Sequence, residues 1–394
     1  MMASDPVRVL HVFGMLGLGG AETRTMDLYR NIDRNRVQFD FLVHTDRPSY
    51  YDEAARELGA GLYRLPRFTG NNLVAYRGAA RELFRENAHK WRVVQGHMTS
   101  TAAVYLPFAK QYGAALTIAH ARSAGVEPGL KGIATKVFEY PLRSMKAVDA
   151  RLAVSREAGE AVFGKEAVRR GRVKVVANAI DTARFAFDPD LRAKTRAVLG
   201  IPQNALVAGH VGRFHYAKNH EYLLKVFAEV RKAAMPEVQK RLKLLLIGDG
   251  ERMADMRALA ERKGIVKDVL FAGSRSDVSA CYQAMDVFVY PSRYEGMPGV
   301  VIEAQASGLR CLISDAITQE ADVTELVGRM SVSRPPEYWA REVTAALLTE
   351  HRRAEQSANA REALARAGFD VREQAREMTR FYLGETETAT EQTA

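Results

Sequence analysis

Two carboxylates, Glu295 and Glu303, flank a Gly-Met-Pro-Gly turn in the stretch 288–314, FVYPSRYEGMPGVVIEAQASGLRCLIS. The pattern reads as a strand, a tight turn on Pro291 and Ser292, a loop, a helix carrying Glu303 and a second strand. Glu295 precedes the helix and can reach a reacting group. Glu303 lies about two turns inside it, in the apolar run V-V-I-E-A, where an unpaired charge is costly, and can hold a polar part of the same ligand. Arg213 and Lys218 sit in the loop GRFHYAKN, between a strand at 206–211 and a helix from 221. Two cations just before a helix N-terminus can converge on a diphosphate. The turn GMLGLGGAET, with Gly19 and Gly20, follows a strand at 7–13 and opens another helix. Glycine permits close backbone approach there and the helix dipole favours an anion, although no P-loop lysine follows. Two histidines, His97 and His120, terminate strands at 92–95 and 115–119, and Arg122 comes just after the second. Gly248, Asp249 and Gly250 stand at the tip of a strand at 242–247.

Each of these residues lies beyond the carboxyl end of a strand, where open parallel sheets bind ligands. Strands and helices alternate along nearly the whole chain. Strands are expected at 7–13, 39–44, 62–64, 92–95, 115–119, 149–154 and 173–176, and again at 206–211, 242–247, 269–271, 288–290, 310–314 and near 330. This is an α/β pattern in two series, predicting two facing Rossmann-like domains with a cleft between them. The boundary is read at 187/188: domain 1–187 and domain 188–370. A helix at 371–383 is followed by a tail, GETETATEQTA at 384–394, expected to be disordered.

At 394 residues the chain is long for one core, and two domains are the natural division. The formal charge of +10 falls wholly in residues 1–187, while residues 188–394 balance. The first half is therefore expected to face something anionic, whether a phosphorylated substrate, a membrane surface or nucleic acid. The segment 123–146, SAGVEPGLKGIATKVFEYPLRSMK, mixes Lys131, Lys136, Arg143 and Lys146 with apolar residues. It reads either as a basic amphipathic surface for lipid headgroups or as a helix packed on its own domain. Cys281 and Cys311 occupy apolar contexts and are expected as buried thiols in a reduced compartment, with no metal-ligand spacing. The start, MMASDPVRVLHVF, lacks a basic segment followed by an apolar core, so export is not expected. No apolar run is long enough to span a bilayer.

Taken together, G-R-F-H-Y-A-K-N, G-D-G, Y-E-G-M-P-G-V-V-I-E-A-Q-A-S-G, V-A-N-A-I-D and the opening G-L-G-G-A-E resemble the retaining family 4 glycosyltransferases of the GT-B fold. The resemblance spans about residues 7–383 and is strongest to the bacterial branch that extends exopolysaccharide or capsule chains. It implies that the first domain binds the acceptor and the second a nucleotide sugar, which is a substrate rather than a cofactor. Glu295 matches the first glutamate of the family's paired motif, beside the transferred sugar, and Glu303 the second, on the ribose. Arg213 and Lys218 match the pair on the diphosphate, with Gly248 at the neighbouring strand tip. The backbone N–H groups of Met297, Pro298, Gly299, Val300 and Val301, and the Gly19–Gly20 turn, complete that grip. His120 matches the histidine near the reacting centre. The last helix would return to the first domain. At Ala179 many relatives have glycine, so the hinge turn is expected to differ.

The implied reaction is transfer of a hexosyl unit, from a UDP-sugar in the first instance, with retention at the anomeric carbon and no metal. The acceptor would be a glycan, a polyprenyl-diphosphate-linked chain or a small molecule. The location would be cytoplasmic, with peripheral contact at the inner face of the plasma membrane. Asp188-Pro-Asp190 imitates a metal motif but lies in the passage between domains. A nucleotide-sugar epimerase or hydrolase is the alternative on the same scaffold. A nucleic-acid-binding protein would need a cationic and aromatic groove, which the sequence lacks, so no nucleic-acid partner is expected.

Overall fold

Apolar runs of four to seven residues bounded by glycine and polar turns suit strands buried on both faces, and they form two parallel sheets in the computed structural model. Residues 5–123, 130–144, 148–295, 297–349 and 352–385 are described. The expected disordered tail lies outside the described residues from 386 onward.

The chain divides into two compact units, Met1–Ala179 with Val371–Ala394, and Ile180–Asp370. In the first unit the strands are β1 (Val7–Phe13), β2 (Val37–Val43), β3 (Leu62–Arg64), β4 (Val93–Gly96), β5 (Leu116–Ala121), β6 (Ala150–Ala153) and β7 (Lys174–Val175). Their order is β3-β2-β1-β4-β5-β6-β7, with every neighbour pair parallel. Side chains alternate faces along β1: Leu10 and Val12 pack with Tyr76 and Tyr105, whereas Val9 and Phe13 pack with Met26, Phe39 and Met378. The charge buried on β2 is paired. Asp40 accepts from Arg8 Nε at 2.8 Å and Trp91 Nε1 at 2.8 Å, as a desolvated carboxylate requires.

The second unit holds β8 (Leu206–Val211), β9 (Leu242–Ile247), β10 (Val269–Phe271), β11 (Val287–Tyr290), β12 (Arg310–Ser314) and β13 (Val327–Met330). Their order is β10-β9-β8-β11-β12-β13, again parallel throughout. Both sheets thus have the doubly wound order of a Rossmann-like domain, the two-domain architecture of the GT-B fold. Chain order reverses between β1 and β4 in one sheet and between β8 and β11 in the other. These are the positions where such sheets leave a crevice at their carboxyl edge.

The division falls after Ala179, whereas the sequence places it at 187/188. The cause is long-range pairing of the intervening residues. Ile180 N donates to Phe369 O (2.9 Å) and Phe187 N to Ser357 Oγ (3.0 Å), both within the second unit. The helix Pro189–Val198 belongs there too: Arg196, fully buried, donates to Ala284 O (3.0 Å) and to Asp286 (2.9 Å). The helix Val371–Leu383 belongs to the first unit, where Val371, Ala375, Met378 and Tyr382 are buried and Gln374 Nε2 donates to Ala177 O (2.8 Å). Both cysteines are free and buried. Among the described residues no helix is long and apolar enough to cross a membrane.

Candidate active site

In the second unit the loops after β8 and β11 meet at the reversal of strand order. Beyond β8 the chain makes one 3₁₀ turn, Tyr216–Lys218, and passes through Asn219 in a left-handed conformation into the helix His220–Ala233. Asparagine tolerates that backbone better than most residues, and its side-chain amide donates to Pro291 O (3.0 Å), stitching this loop to the one after β11. Arg293 N and Ser292 Oγ both donate to Ala217 O, at 2.8 and 2.7 Å. These bonds bring Lys218 to Glu295. The two are ion-paired, and Lys218 Nζ also donates to Tyr290 OH (2.7 Å). Ser292 Oγ lies 3.2 Å from the same Glu295 oxygen. The Glu295 backbone bridges to Ile317, so its loop is held from both sides.

Glu303 is buried on the helix Gly299–Ala306 and accepts from Tyr282 OH (2.9 Å). Tyr290, fully buried, joins the two carboxylates electrostatically. Burial first, then the charge and hydrogen bond of Glu295, then the charge of Glu303, push its phenol well above the usual range. Sequence reasoning put both glutamates at the site and missed Tyr282 and Tyr290, which look like ordinary aromatic core in the sequence.

Arg213 lies on the same loop as Lys218 but reaches outward. Its side chain is 72% exposed and pairs with Glu251 at 3.3 Å. Gly248 carries a φ of +133°, and a Cβ there would run into the backbone carbonyl of Gly212. Gly248 therefore lets the β9 tip pack against the start of the cationic loop. The expected grip by amides of Met297, Pro298, Gly299, Val300 and Val301 needs correction. Pro298 has no N–H, and Val301 N donates to Pro298 O (3.0 Å). Gly299 and Val300 remain as first-turn amides, which a helix leaves without an internal acceptor.

Asp188, half of the metal-like Asp-Pro-Asp, accepts from Asp190 N and Leu191 N (2.8 and 3.0 Å) as the N-cap of its helix. Among the described residues no group of three or more His, Cys, Asp or Glu is placed to hold a metal ion.

In the first unit, Gly19 is the N-cap of the helix Gly20–Asn31, and the Glu22 carboxylate folds back over it. The cradle expected at Gly19–Gly20 thus lies against one of the protein's own carboxylates. His97 and His120 come together with His11, which sequence reasoning passed over as strand filler. A histidine in a strand otherwise apolar on that face was its only signal. His11 Nδ1 and His97 Nε2 are 2.9 Å apart, and His120 Nδ1 is 2.9 Å from Gln95 Nε2. Burial is the first cause that holds all three imidazoles neutral, with His11 drawn down to about 3 and His97 and His120 well below their ordinary value. Arg122 approaches His120 Nε2 at 3.4 Å and donates to Ala21 O at 2.9 Å. A cavity of about 20 Å³, room for one water-sized group, is bordered by His11, Gln95, His97, His120, Arg122 and Tyr382.

Comparison with known proteins bears on both units. Residues 18–184 match the family described as Glycosyltransferase Family 4, and residues 192–363 the family described as Glycosyl transferases group 1. The putative glycosyltransferase EpsF of Bacillus subtilis is 34% identical over 376 residues, covering 94% of this chain and 95% of that protein. The UDP-Gal:alpha-D-GlcNAc-diphosphoundecaprenol alpha-1,3-galactosyltransferase of Escherichia coli is 34% identical over 149 residues, 36% of this chain and 37% of that one. Among solved structures, Anabaena HepE in complex with UDP superimposes with a TM-score of 0.76 at 17% identity, covering 96% of this chain and 100% of that one. HepE has also been solved with UDP-glucose. At that identity the likeness is one of fold.

Proposed function

This chain belongs to the family 4 glycosyltransferases of the GT-B fold, and from that premise we propose that it moves a hexosyl unit from a UDP-sugar to a lipid-linked glycan, with retention of anomeric configuration. The observation that carries this reading is the pairing of Lys218 with Glu295 beside the start of the helix Gly299–Ala306. Departure of UDP builds negative charge on its β-phosphate while the sugar becomes oxocarbenium-like. A half-buried ammonium, Arg213 and two first-turn amides offer positive potential for the phosphate. Glu295 is the carboxylate set against the sugar, and Glu303 the one for the ribose hydroxyls. With protein cations on the leaving group, no divalent metal is assigned a step. No nucleophile is assigned either: the incoming hydroxyl attacks from the face that UDP leaves, and its proton passes to the departing phosphate oxygen. His120 serves the reacting centre through its ring.

The nucleotide is proposed by analogy with HepE, whose complexes contain UDP and UDP-glucose. The lipid-linked acceptor is proposed from the Escherichia coli relative, named for a diphosphoundecaprenol substrate, and from an exposed basic and apolar face of the first unit. That face is the helix Leu130–Glu139 with the turn Tyr140–Arg143, which exposes Ile133, Val137 and Tyr140 beside Lys136 and Arg143. It is proposed to rest on the inner face of the plasma membrane.

The test is a screen of UDP-sugars for slow hydrolysis, followed by mass spectrometry with polyprenyl-diphosphate-linked and small-molecule acceptors and assignment of the product anomer by NMR. Turnover that persists in EDTA and a retained anomer are expected. An inverted product, or loss of turnover on chelation with rescue by a divalent ion, overturns the mechanism. Transfer to the small molecule alone overturns the acceptor.

A further inference from the structure

Both cations assigned to the donor diphosphate are paired with carboxylates of the chain itself: Lys218 with Glu295, and Arg213 with Glu251 at 3.3 Å. We propose that Glu251 is a positioning residue for Arg213, a latch that holds the guanidinium outward and competes for it with the diphosphate. Donor affinity is thereby set below what the two cations alone would give. This rests on the diphosphate reading of Arg213 given above.

The backbone builds the pair. His215 N donates to Arg213 O at 2.7 Å, a tight turn about Phe214, whose ring is fully buried. With Phe214 in the core, Arg213 and His215 are left outside, and both meet Glu251. Phe214 N donates to Asp249 O (3.0 Å) and Arg252 N to Phe214 O (3.1 Å), so residue 251 is tied to this turn from either side. A Cβ at Gly250 would run into the Phe214 backbone, so glycine lets the two loops come this close. The two oxygens of Glu251 have different neighbours: Oε2 accepts from Arg213 Nη2, and Oε1 lies 3.8 Å from His215 Nε2. His215 Nδ1 accepts from Ala217 N (3.3 Å), which puts the proton of the neutral ring on Nε2, facing the carboxylate. The Glu251 carboxyl is held below its ordinary range, first by its own backbone N–H and then by the charge of Arg213. An exposed ion pair of two long side chains usually contributes little, but here the backbone around both residues is fixed. A diphosphate carries more charge than one carboxylate and can draw the guanidinium away, breaking this pair.

The test measures UDP binding by calorimetry and uridine binding by ligand-observed NMR on the full-length protein. Glu251→Gln keeps the shape of a half-exposed side chain. It is expected to tighten UDP about 2- to 5-fold, the size of one surface ion pair, and to leave uridine unchanged. The gain is expected to vanish in an Arg213→Ala background. Unchanged or weaker UDP binding in Glu251→Gln overturns the latch. So does a gain that persists without Arg213 or that uridine shares, since Glu251 would then act through the general field or on the base. Arg213→Ala alone is expected to weaken UDP severalfold. If it does not, the diphosphate reading of Arg213 fails and the latch fails with it. If it does while Glu251→Gln gains nothing, only the latch fails.

Discussion

Lys218 and Glu295, 77 residues apart in the chain, form an ion pair at the reversal of strand order in the second unit. The pair is mostly buried, with 22 and 16% of the side chains exposed, so breaking it leaves a partly desolvated charge. A diphosphate entering the site must compete with Glu295 for the ammonium. The proposed donor thereby frees the carboxylate for the sugar at the moment that it binds.

Opposite effects on binding and turnover follow. Glu295→Gln removes the competing carboxylate, so UDP is expected to bind as tightly as before or severalfold tighter, while turnover falls about 100-fold or more. Lys218→Ala is expected to weaken UDP by about 10- to 100-fold, the worth of a charge-assisted bond in a shielded site. Calorimetry with UDP and a hydrolysis assay on the same preparations measure both. Weakened UDP binding in Glu295→Gln, in step with its lost turnover, would show that the carboxylate holds the nucleotide instead.

Gly248 is expected to tolerate no side chain. Its φ of +133° is outside the range that L-residues adopt readily, and the obstacle to a Cβ is the Gly212 carbonyl, which is backbone and cannot swing aside. Gly248→Ala should cost about 1–3 kcal/mol of stability and shift the loop that carries Arg213 and Lys218. Thermal melting together with UDP binding checks this. An alanine variant with unchanged melting temperature and UDP affinity would mean that the tip of β9 does not support the site.

Most of the architecture was readable because parallel strands buried on both faces are apolar almost throughout, as in Leu242–Ile247, and polar residues collect just past their ends. That rule placed Glu295, Glu303, Lys218 and His120 at strand termini or in the helix that follows. It could not show which of them touch. Tyr382 meets Gln95 across 287 residues, and nothing local to either residue signals the other. The domain boundary was displaced for the same reason: 182–203 reads as the passage between domains, and the bonds of Ile180 to Phe369 and of Phe187 to Ser357 are long-range. Pro298 is a different case. Its missing N–H was already visible in the sequence, and counting it among the amide donors overlooked covalent chemistry rather than tertiary structure.

Buried neutral histidines make stability depend on pH in a definite direction. Burial draws His11 to about 3 and His210 to about 4, and holds His97 and His120 well below their ordinary value. In the unfolded chain each titrates near 6.5. Below that pH the unfolded state takes up protons that the folded state refuses. The stabilisation is therefore complete above about pH 6.5 and is lost as pH falls toward the folded values, by about 1.4 kcal/mol per pH unit for each histidine. The melting temperature is expected to be level from pH 8 to 7 and to drop steeply between 6.5 and 5, before most carboxylates titrate. A flat profile over that interval would mean that these rings are protonated in the fold.

The exposed face of the helix Leu130–Glu139 gives the last prediction. Ile133, Val137 and Tyr140 are 61, 63 and 69% exposed, at the i, i+4, i+7 spacing of one helical stripe. Phe138, on the opposite side, packs edge-on against Phe68 at 5.0 Å, so the stripe is left over after the helix has met its own domain. Lys136 and Arg143 are exposed beside it, each worth about 1 kcal/mol near an anionic leaflet at moderate salt. Apolar insertion and charge attraction should add, so the protein is expected to sediment with phosphatidylglycerol-containing vesicles at low salt. It should be released by high salt and should not bind pure phosphatidylcholine. Val137→Glu combined with Tyr140→Glu should abolish sedimentation while UDP binding survives, because both side chains point away from the fold. Equal sedimentation of the wild type and the double variant would show that this stripe is not the contact and that the net charge of the first half acts diffusely.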